Sequence, residues 1–352
     1  MPVSHVPLVE ITRGSIVESV HYGSLAIVRP DGEQVLALGD NTSPFFLRSS
    51  AKPFQALAFI ESGGIDHYHL TPEEVAIISA SHSGTPQHVQ VLEKLQEKTG
   101  VKESDLQCGV HPPFHRESEL QLQAKGEKPH NNHNNCSGKH TGMLAFAKMI
   151  SAPIDDYLEW DHPVQRAILN TFAQMCRVEE NTIELGLDGC TAPVFALPLP
   201  KAAGAFARLC QPDDLPQNRA QACRQIVQAM QTHAFMVGGP DRFDTDMMKA
   251  ASGKLVSKVG AEGYLGMGIL PGKALKIKSS LGVAIKISDG DLTRRAFSVV
   301  AIALLTRLGV LEKEELTKLQ PYGARPIKNW RGKEIGQIRP SQYLLDAVSS
   351  LS

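Results

Sequence analysis

Strand-forming residues gather at the two ends of this 352-residue chain with a long helical stretch between them, and that distribution restricts the fold more than any other feature. Ile16 to Val28 carries Val17, Val20, Leu25, Ile27 and Val28, the β-branched and apolar content of a strand, and a Pro-Asp-Gly turn ending at Gly32 leads into Val35 to Leu38. This predicts an N-terminal β-hairpin. Pro72 to Ile78, His88 to Lys98, Gly138 to Met149, Pro163 to Met175 and Asn218 to Thr232 have helical length and spacing, several preceded by or opening with Ser, Thr or Pro. Strand character returns in Lys254 to Val259, Tyr264 to Ile269, Leu275 to Lys278 and Val283 to Ile287, separated by Gly-containing turns. Arg294 to Leu308 reads as a long apolar helix. Ile327 and Ile335 to Ile338, on either side of the Asn-Trp-Arg-Gly turn at Asn329, read as a final strand pair. The expectation is an α+β fold in one domain spanning residues 1-352, its antiparallel sheet built from both chain ends. The sheet lobe would cover about 1-48 and 254-352, and the helical lobe about 49-253.

A hydrophobic content of 42% suits a chain with a real core. Lys plus Arg number 36 against 37 Asp plus Glu, so no general electrostatic pull draws the chain toward nucleic acid or an acidic membrane surface. A small neutral or zwitterionic partner fits that balance. The start, MPVSHVPLVEITRG, lacks a basic segment followed by an apolar one, and the longest apolar stretch, around Ala296 to Leu305, is too short to span a bilayer. A cytoplasmic protein is expected. Six cysteines, Cys108, Cys136, Cys176, Cys190, Cys210 and Cys223, are too sparse for a disulfide framework and leave free thiols or a metal site.

Four blocks could carry chemistry. In Arg48-Ser49-Ser50-Ala51-Lys52-Pro53 the chain leaves strand structure, and Pro53 is tolerated only in a first helical turn. Ser49 and Lys52 are then one turn apart, close enough for the amine to take the hydroxyl proton, with unpaired helix-start N–H groups available for an oxyanion. The plainer alternative is that Ser50 merely caps the helix and Lys52 sits in solvent. In Ala80-Ser81-His82-Ser83-Gly84, Ser81 is either a proton relay or turn chemistry, and His82 either an assistant or a satisfied polar group. Lys258-Val259-Gly260 puts a lysine on a strand beside glycines, where a substrate can approach closely, or where a charge merely protects a sheet edge. Asn134-Asn135-Cys136-Ser137-Gly138-Lys139-His140 and Gly186-Leu187-Asp188-Gly189-Cys190 each place a cysteine in a turn, near a helix start or a lysine that favours thiolate. Neither has the spacing of a familiar zinc motif, so metal ligands, a nucleophilic thiol and inert buried thiols all stay open.

Taken in order, the phrases TRGSIVESVHYG, FLRSSAKP, ASHSG, CGVHPP, HNNCSGKHTGM, DHPVQR, GLDGC, RFDT, SKVGAEG and AIKISDGD give the chain a resemblance to the Rhizobium etli type of L-asparaginase, the asparaginase II family, from about Leu8 to Gly336. The resemblance implies a fold like that of serine β-lactamases and serine-type glutaminases. It implies Ser49 as nucleophile with Lys52 as partner, and Ser81 with Lys258 as a second serine and lysine pair. It also implies a zinc held by Cys136, Lys139 and Cys190 with Asp188 close by, and a homodimer. For L-asparagine as substrate, Arg48 and Arg242 are candidates for the α-carboxylate, because a guanidinium grips it bidentately, and Asp188 for the α-ammonium. A lysine base would set an alkaline activity optimum. A serine glutaminase, a zinc- or cysteine-dependent amidase and a non-catalytic amino-acid-binding protein are the alternatives.

Overall fold

The computed structural model describes residues 4–349 and 351. Strands β1 (Val6–Arg13), β2 (Ile16–Val28), β3 (Gln34–Leu38) and β4 (Phe45–Phe46) open the chain, and β5 (Glu184–Leu187) and β6 (Pro193–Leu197) interrupt its helical middle. Strands β7 (Leu255–Val259), β8 (Tyr264–Ile269), β9 (Leu281–Ile287), β10 (Arg325–Lys328) and β11 (Glu334–Pro340) close it. Helices α1 (Lys52–Glu61), α2 (Gly64–Tyr68), α3 (Pro72–Ile78), α4 (Pro86–Thr99), α5 (Arg116–Lys125), α6 (Ser137–Met149) and α7 (Pro163–Cys176) precede β5. Helices α8 (Leu199–Cys210), α9 (Gln217–Thr232), α10 (Ala234–Val237) and α11 (Phe243–Ala250) lie between β6 and β7, and α12 (Phe297–Arg307), α13 (Lys313–Lys318) and α14 (Gln342–Ser349) accompany the closing strands.

The chain divides into two units, one formed by the described residues up to Ser50, Leu197–Gln211 and those from Asp246 on. Its sheet runs β10-β11-β1-β2-β9-β8-β7, with β3 also paired to β2. Strands from both termini therefore do share one sheet. The 13-residue β2 serves several neighbours: its first half pairs antiparallel with β1, Leu25 to Val28 pair with β3, and Gly23 to Val28 pair with β9. Helix α8 lies in the helical span of the sequence yet groups with this sheet, because glycines on the strands make room for it. A Cβ on Gly266 would come within 2.1 Å of the Phe206 ring, and one on Gly282 within 1.7 Å of the Ala203 carbonyl oxygen. Two expectations need correction. Leu275 to Lys278 forms no strand, only an isolated bridge between Ala274 and Ile277, with Lys276 in the left-handed region at φ +60°. The closing apolar helix starts at Phe297 rather than Arg294, whose own φ of +53° breaks helical continuity, and Asp291 Oδ2 accepts from the N–H groups of Ala296 and Phe297.

The second unit comprises Ala51–Ala196 and Pro212–Thr245. Helix α1 is its axis: every residue from Lys52 to Ile60 is buried. Phe54 meets Phe172 of α7 at 5.6 Å between ring centroids, and Phe59 meets Phe146 of α6 at 5.8 Å. Burial of this kind stabilises by about 25 cal/mol per Å² of apolar surface removed from water, and these ring contacts join α1 to α6 and α7. The C-terminal Glu61 of α1 is pinned by Arg219 at 2.5 Å and by the Thr171 hydroxyl at 2.6 Å. The short hairpin of β5 and β6 in the helical stretch had no counterpart in the sequence reading.

Candidate active site

The Arg48–Ala51 segment is a 3₁₀ turn that runs without interruption into α1, and Pro53 falls in the first helical turn as its chemistry requires. Arg48 opens the turn with φ +51°, a conformation a non-glycine residue adopts at a cost of about 1–3 kcal/mol, which concentrates strain beside the half-buried Ser49. Ser50 does not cap the helix: Ala51 is at the cap with no side-chain hydrogen bond. The Ser50 hydroxyl instead donates to the Lys258 carbonyl at 2.5 Å, tying the serine turn to β7. Its N–H is spent on the Leu47 carbonyl at 3.1 Å and so is no oxyanion donor. Lys258 is fully buried, opposite Gly266 in the β7–β8 register, with Nζ donating to the Val259 carbonyl at 2.9 Å. It is not a solvated edge lysine.

In the second unit Thr71 launches α3 through a reciprocal capping box with Glu74, and the helix ends at Ser79, delivering Ala80 to Gly84 into a buried turn. Gly84 is needed there: its φ is +66°, and a Cβ would lie 2.8 Å from the His133 carbonyl oxygen. Lys52, 1% exposed, reaches this turn. Its Nζ donates to the Ala80 carbonyl at 2.6 Å, to the Ser81 hydroxyl at 3.0 Å and to the Asn135 carbonyl at 3.3 Å. Two of these partners can only accept. Ser81 alone can also donate, so two N–H groups held by carbonyls leave the amine's remaining position facing the one hydroxyl that can pass a proton.

His82 is wholly buried, lies 2.9 Å from the Ser137 hydroxyl through Nε2, and accepts from the Gly84 N–H through Nδ1. Burial, with the charges of His88 and Lys52, pushes its pKa well below the ordinary histidine range, so the ring is neutral and both nitrogens are occupied. Arg242 donates to the Ser83 hydroxyl at 3.3 Å and lies over the Phe114 ring at 5.9 Å. Asp188 is half-buried, with its carboxylate accepting from the Gly189 N–H at 2.7 Å. Arg48 is half-buried in the other unit.

Cys136 stands at the N-cap of α6, Lys139 follows one turn later, and Cys190 sits in the turn between β5 and β6. All three are buried, and Lys139 Nζ is 3.0 Å from Cys190 Sγ. The neighbouring Cys136 and, against burial, the Lys139 charge lower the pKa of Cys190, while the Cys136 thiol itself donates to the Asn135 side-chain oxygen at 3.2 Å. The pKa of Cys136 is pushed the other way, upward, by its neighbour Cys190 and by burial. Burial opposes the Lys139 charge, but the sulfurs of Cys190 and Cys136 outweigh it and keep the ammonium. Beside them, His140 contacts the Tyr157 hydroxyl through Nδ1 at 2.7 Å, while its buried Nε2 has no hydrogen-bond partner. Among the described residues no three His, Cys, Asp or Glu side chains gather around a metal position. Two sulfurs and an amine nitrogen do form a soft donor set that suits zinc, provided the lysine gives up its proton.

Residue types alone singled out neither His111 nor the pair Asn134 and Asn135 for a role, although both stand in phrases that carry the resemblance. Asn134 reaches the carbonyls of Cys108 and Gly109 at 2.9 and 3.0 Å, and the Asn135 N–H donates to His111 Nε2 at 3.0 Å.

A family model described as L-asparaginase II matches residues 9–340. No curated protein matches the chain in sequence. Among solved structures the chain is similar to a probable glutaminase from Bacillus subtilis complexed with 6-diazo-5-oxo-L-norleucine, at 14% identity over 82% of this chain and 84% of that one, with a TM-score of 0.41. It is also similar to Mglu in its native form, at 14% identity over 84% of this chain and 67% of that one, with a TM-score of 0.45.

Proposed function

Because this chain belongs to the L-asparaginase II family and is an amidohydrolase, we propose that it hydrolyses L-asparagine to L-aspartate and ammonia in the manner of the Rhizobium etli type, with Ser49 as nucleophile. The observation that carries this reading is a lysine 1% exposed, Lys52, three residues beyond a half-buried serine along one continuous helical turn and held at 3.0 Å from the second serine, Ser81. A lysine buried at the head of a helix costs stability unless it has work or partners, and here its partners aim it at a hydroxyl.

In the proposed reaction Ser49 Oγ bonds to the side-chain amide carbon while its proton passes to Lys52. The tetrahedral adduct collapses, the amide C–N bond breaks, and the nitrogen leaves as ammonia with the proton that Lys52 returns. Water then attacks the acyl carbon, its proton passing to Lys52 along the Ser81–Lys52 bond; the ester bond to Ser49 Oγ breaks, and Lys52 returns that proton to Ser49 Oγ as aspartate leaves. Lys258, whose carbonyl holds the Ser50 hydroxyl, is proposed to share in the proton traffic. Arg48 or Arg242 is proposed to grip the substrate α-carboxylate and Asp188 its α-ammonium.

Zinc is proposed to bind Cys136, Cys190 and Lys139, where it would supply a fixed positive field. What supports this reading is that two sulfurs and an amine lie buried together, Lys139 Nζ 3.0 Å from Cys190 Sγ. A zinc- or cysteine-dependent amidase would put the attack there instead of at Ser49.

The test is ammonia release from asparagine and glutamine by the parent and by Ser49→Ala. The alanine variant is expected to lose at least about 10³-fold in kcat on the preferred amide. Parental turnover by that variant excludes the serine mechanism. Because the two amides differ by one methylene, worth about 1–3 kcal/mol of discrimination, the ratio of their kcat/KM values separates asparaginase from glutaminase.

A further inference from the structure

Lys52 can face Ser81 only while both of its carbonyl partners stay in place. One of them, the Ala80 carbonyl, belongs to the same buried turn as Ser81. The other, the Asn135 carbonyl, comes from the loop before α6, and a separate stretch of chain holds that loop.

His111 is the centre of this hold. Its Nε2 accepts from the Asn135 N–H at 3.0 Å, and its Nδ1 lies 2.7 Å from the Pro112 carbonyl, which can only accept. These two contacts require one neutral tautomer, with hydrogen on Nδ1 and the lone pair on Nε2. The ring is stacked on Phe114 with 4.5 Å between centroids and 11° between planes, and Phe114 lies beneath the Arg242 guanidinium. Pro113 is packed against Gly84, and the His115 N–H donates to the Ser83 carbonyl at 3.1 Å, so the loop is fastened to the Ser81 turn as well.

Asn134 completes the grip from the other side. Its amide nitrogen donates to the Cys108 and Gly109 carbonyls, while its side-chain oxygen accepts from the Cys136 N–H at 2.8 Å. The Asn135 carbonyl belongs to the peptide unit whose N–H, that of Cys136, is held by Asn134, and the preceding unit is held through the Asn135 N–H by His111, so both planes that set the carbonyl's direction toward Lys52 are fixed.

We infer that His111 is a positioning residue for the reaction, holding the Asn135 carbonyl where it orients the Lys52 amine toward Ser81. The inference rests on Lys52 being the proton carrier of the proposed mechanism. His111 touches neither the amine nor Ser81. It acts through one backbone hydrogen bond, and what it contributes is an acceptor at the Nε2 position. A misplaced catalytic group costs rate rather than substrate affinity, so the effect falls on kcat.

The experiment compares the full-length parent with His111→Leu, which fills the space without an acceptor, and His111→Gln, whose amide oxygen restores one. His111→Ala replaces the leucine variant should that one fail to fold. Steady-state kinetics on the preferred amide are read beside hydrogen–deuterium exchange of the peptide containing Asn135. His111→Leu is expected to lower kcat about tenfold at parental KM and to speed exchange at Asn135, and His111→Gln to recover kcat to within about threefold of the parent. Equal kcat in the leucine and glutamine variants, or parental kcat in the leucine variant despite faster exchange, overturns the inference. The exchange readout is independent of chemistry: Ser49→Ala retaining parental turnover defeats the serine mechanism while leaving the His111–Asn135 bond measurable on its own.

Discussion

Cys190 shows how far a residue's neighbours decide its chemistry. As a residue type in a Gly-containing turn it is open to being a ligand, a nucleophile or an inert thiol. In the structure Cys136 and the Lys139 ammonium at 3.0 Å lower its pKa, which sets it apart from Cys108, a thiol that burial pushes up to about 12. A thiolate paired with a second sulfur is what a soft divalent cation requires. Protein prepared in zinc and desalted is therefore expected to hold metal in the parent and to lose most of it in Cys190→Ser, measured by atomic emission. Equal zinc in both removes Cys190 from the ligand set. Ser50 teaches the opposite lesson: its hydroxyl, read as a helix cap, crosses to the Lys258 carbonyl because that acceptor is 208 positions away in sequence and adjacent in space.

Helices announced by proline and threonine at their starts and by apolar spacing inside, such as α3 and α4, match the expected positions closely, because capping boxes and 3.6-residue periodicity are local properties. Elements set by what packs on them were not legible in advance. Strand β1, the hairpin of β5 and β6, and the apposition of α8 to the sheet are of this kind. Strands β8 and β9 carry Gly266 and Gly282 beneath α8, where a Cβ would meet the Phe206 ring and the Ala203 carbonyl respectively. Gly282→Ala is accordingly expected to destabilise the fold by about 1–3 kcal/mol, the usual cost of overpacking a tight core contact. Urea denaturation followed by circular dichroism checks it. An unchanged midpoint means that α8 can lift from the strand without penalty.

At the scale of the whole molecule, mild acid is expected to weaken the fold through buried histidines that stay neutral. Burial lowers His88 and His133 to about 4, and burial with the neighbouring His88 charge pushes His82 well below the ordinary histidine range. The unfolded chain takes up protons on these rings near the ordinary histidine value of about 6.5, whereas the folded chain does not until about pH 4. Between those limits the unfolded state binds more protons, so stability is full above pH 6.5 and falls as pH drops. The urea midpoint of metal-free protein is expected to be lower at pH 5 than at pH 7, and a midpoint as high at pH 5 contradicts the neutral buried rings. By itself the sequence determined that both chain ends are strands and the middle helical, that a serine stands one turn before a lysine, and that the phrases around them resemble one family. Those are matters of local periodicity, turn chemistry and order along the chain. Only the tertiary structure decided which groups meet: Lys52 with Ser81 and Asn135, Lys139 with Cys190, His111 with the Asn135 N–H. Such partners are chosen by burial, since a polar group removed from water must take whichever donor or acceptor the packing brings to it, however distant in sequence.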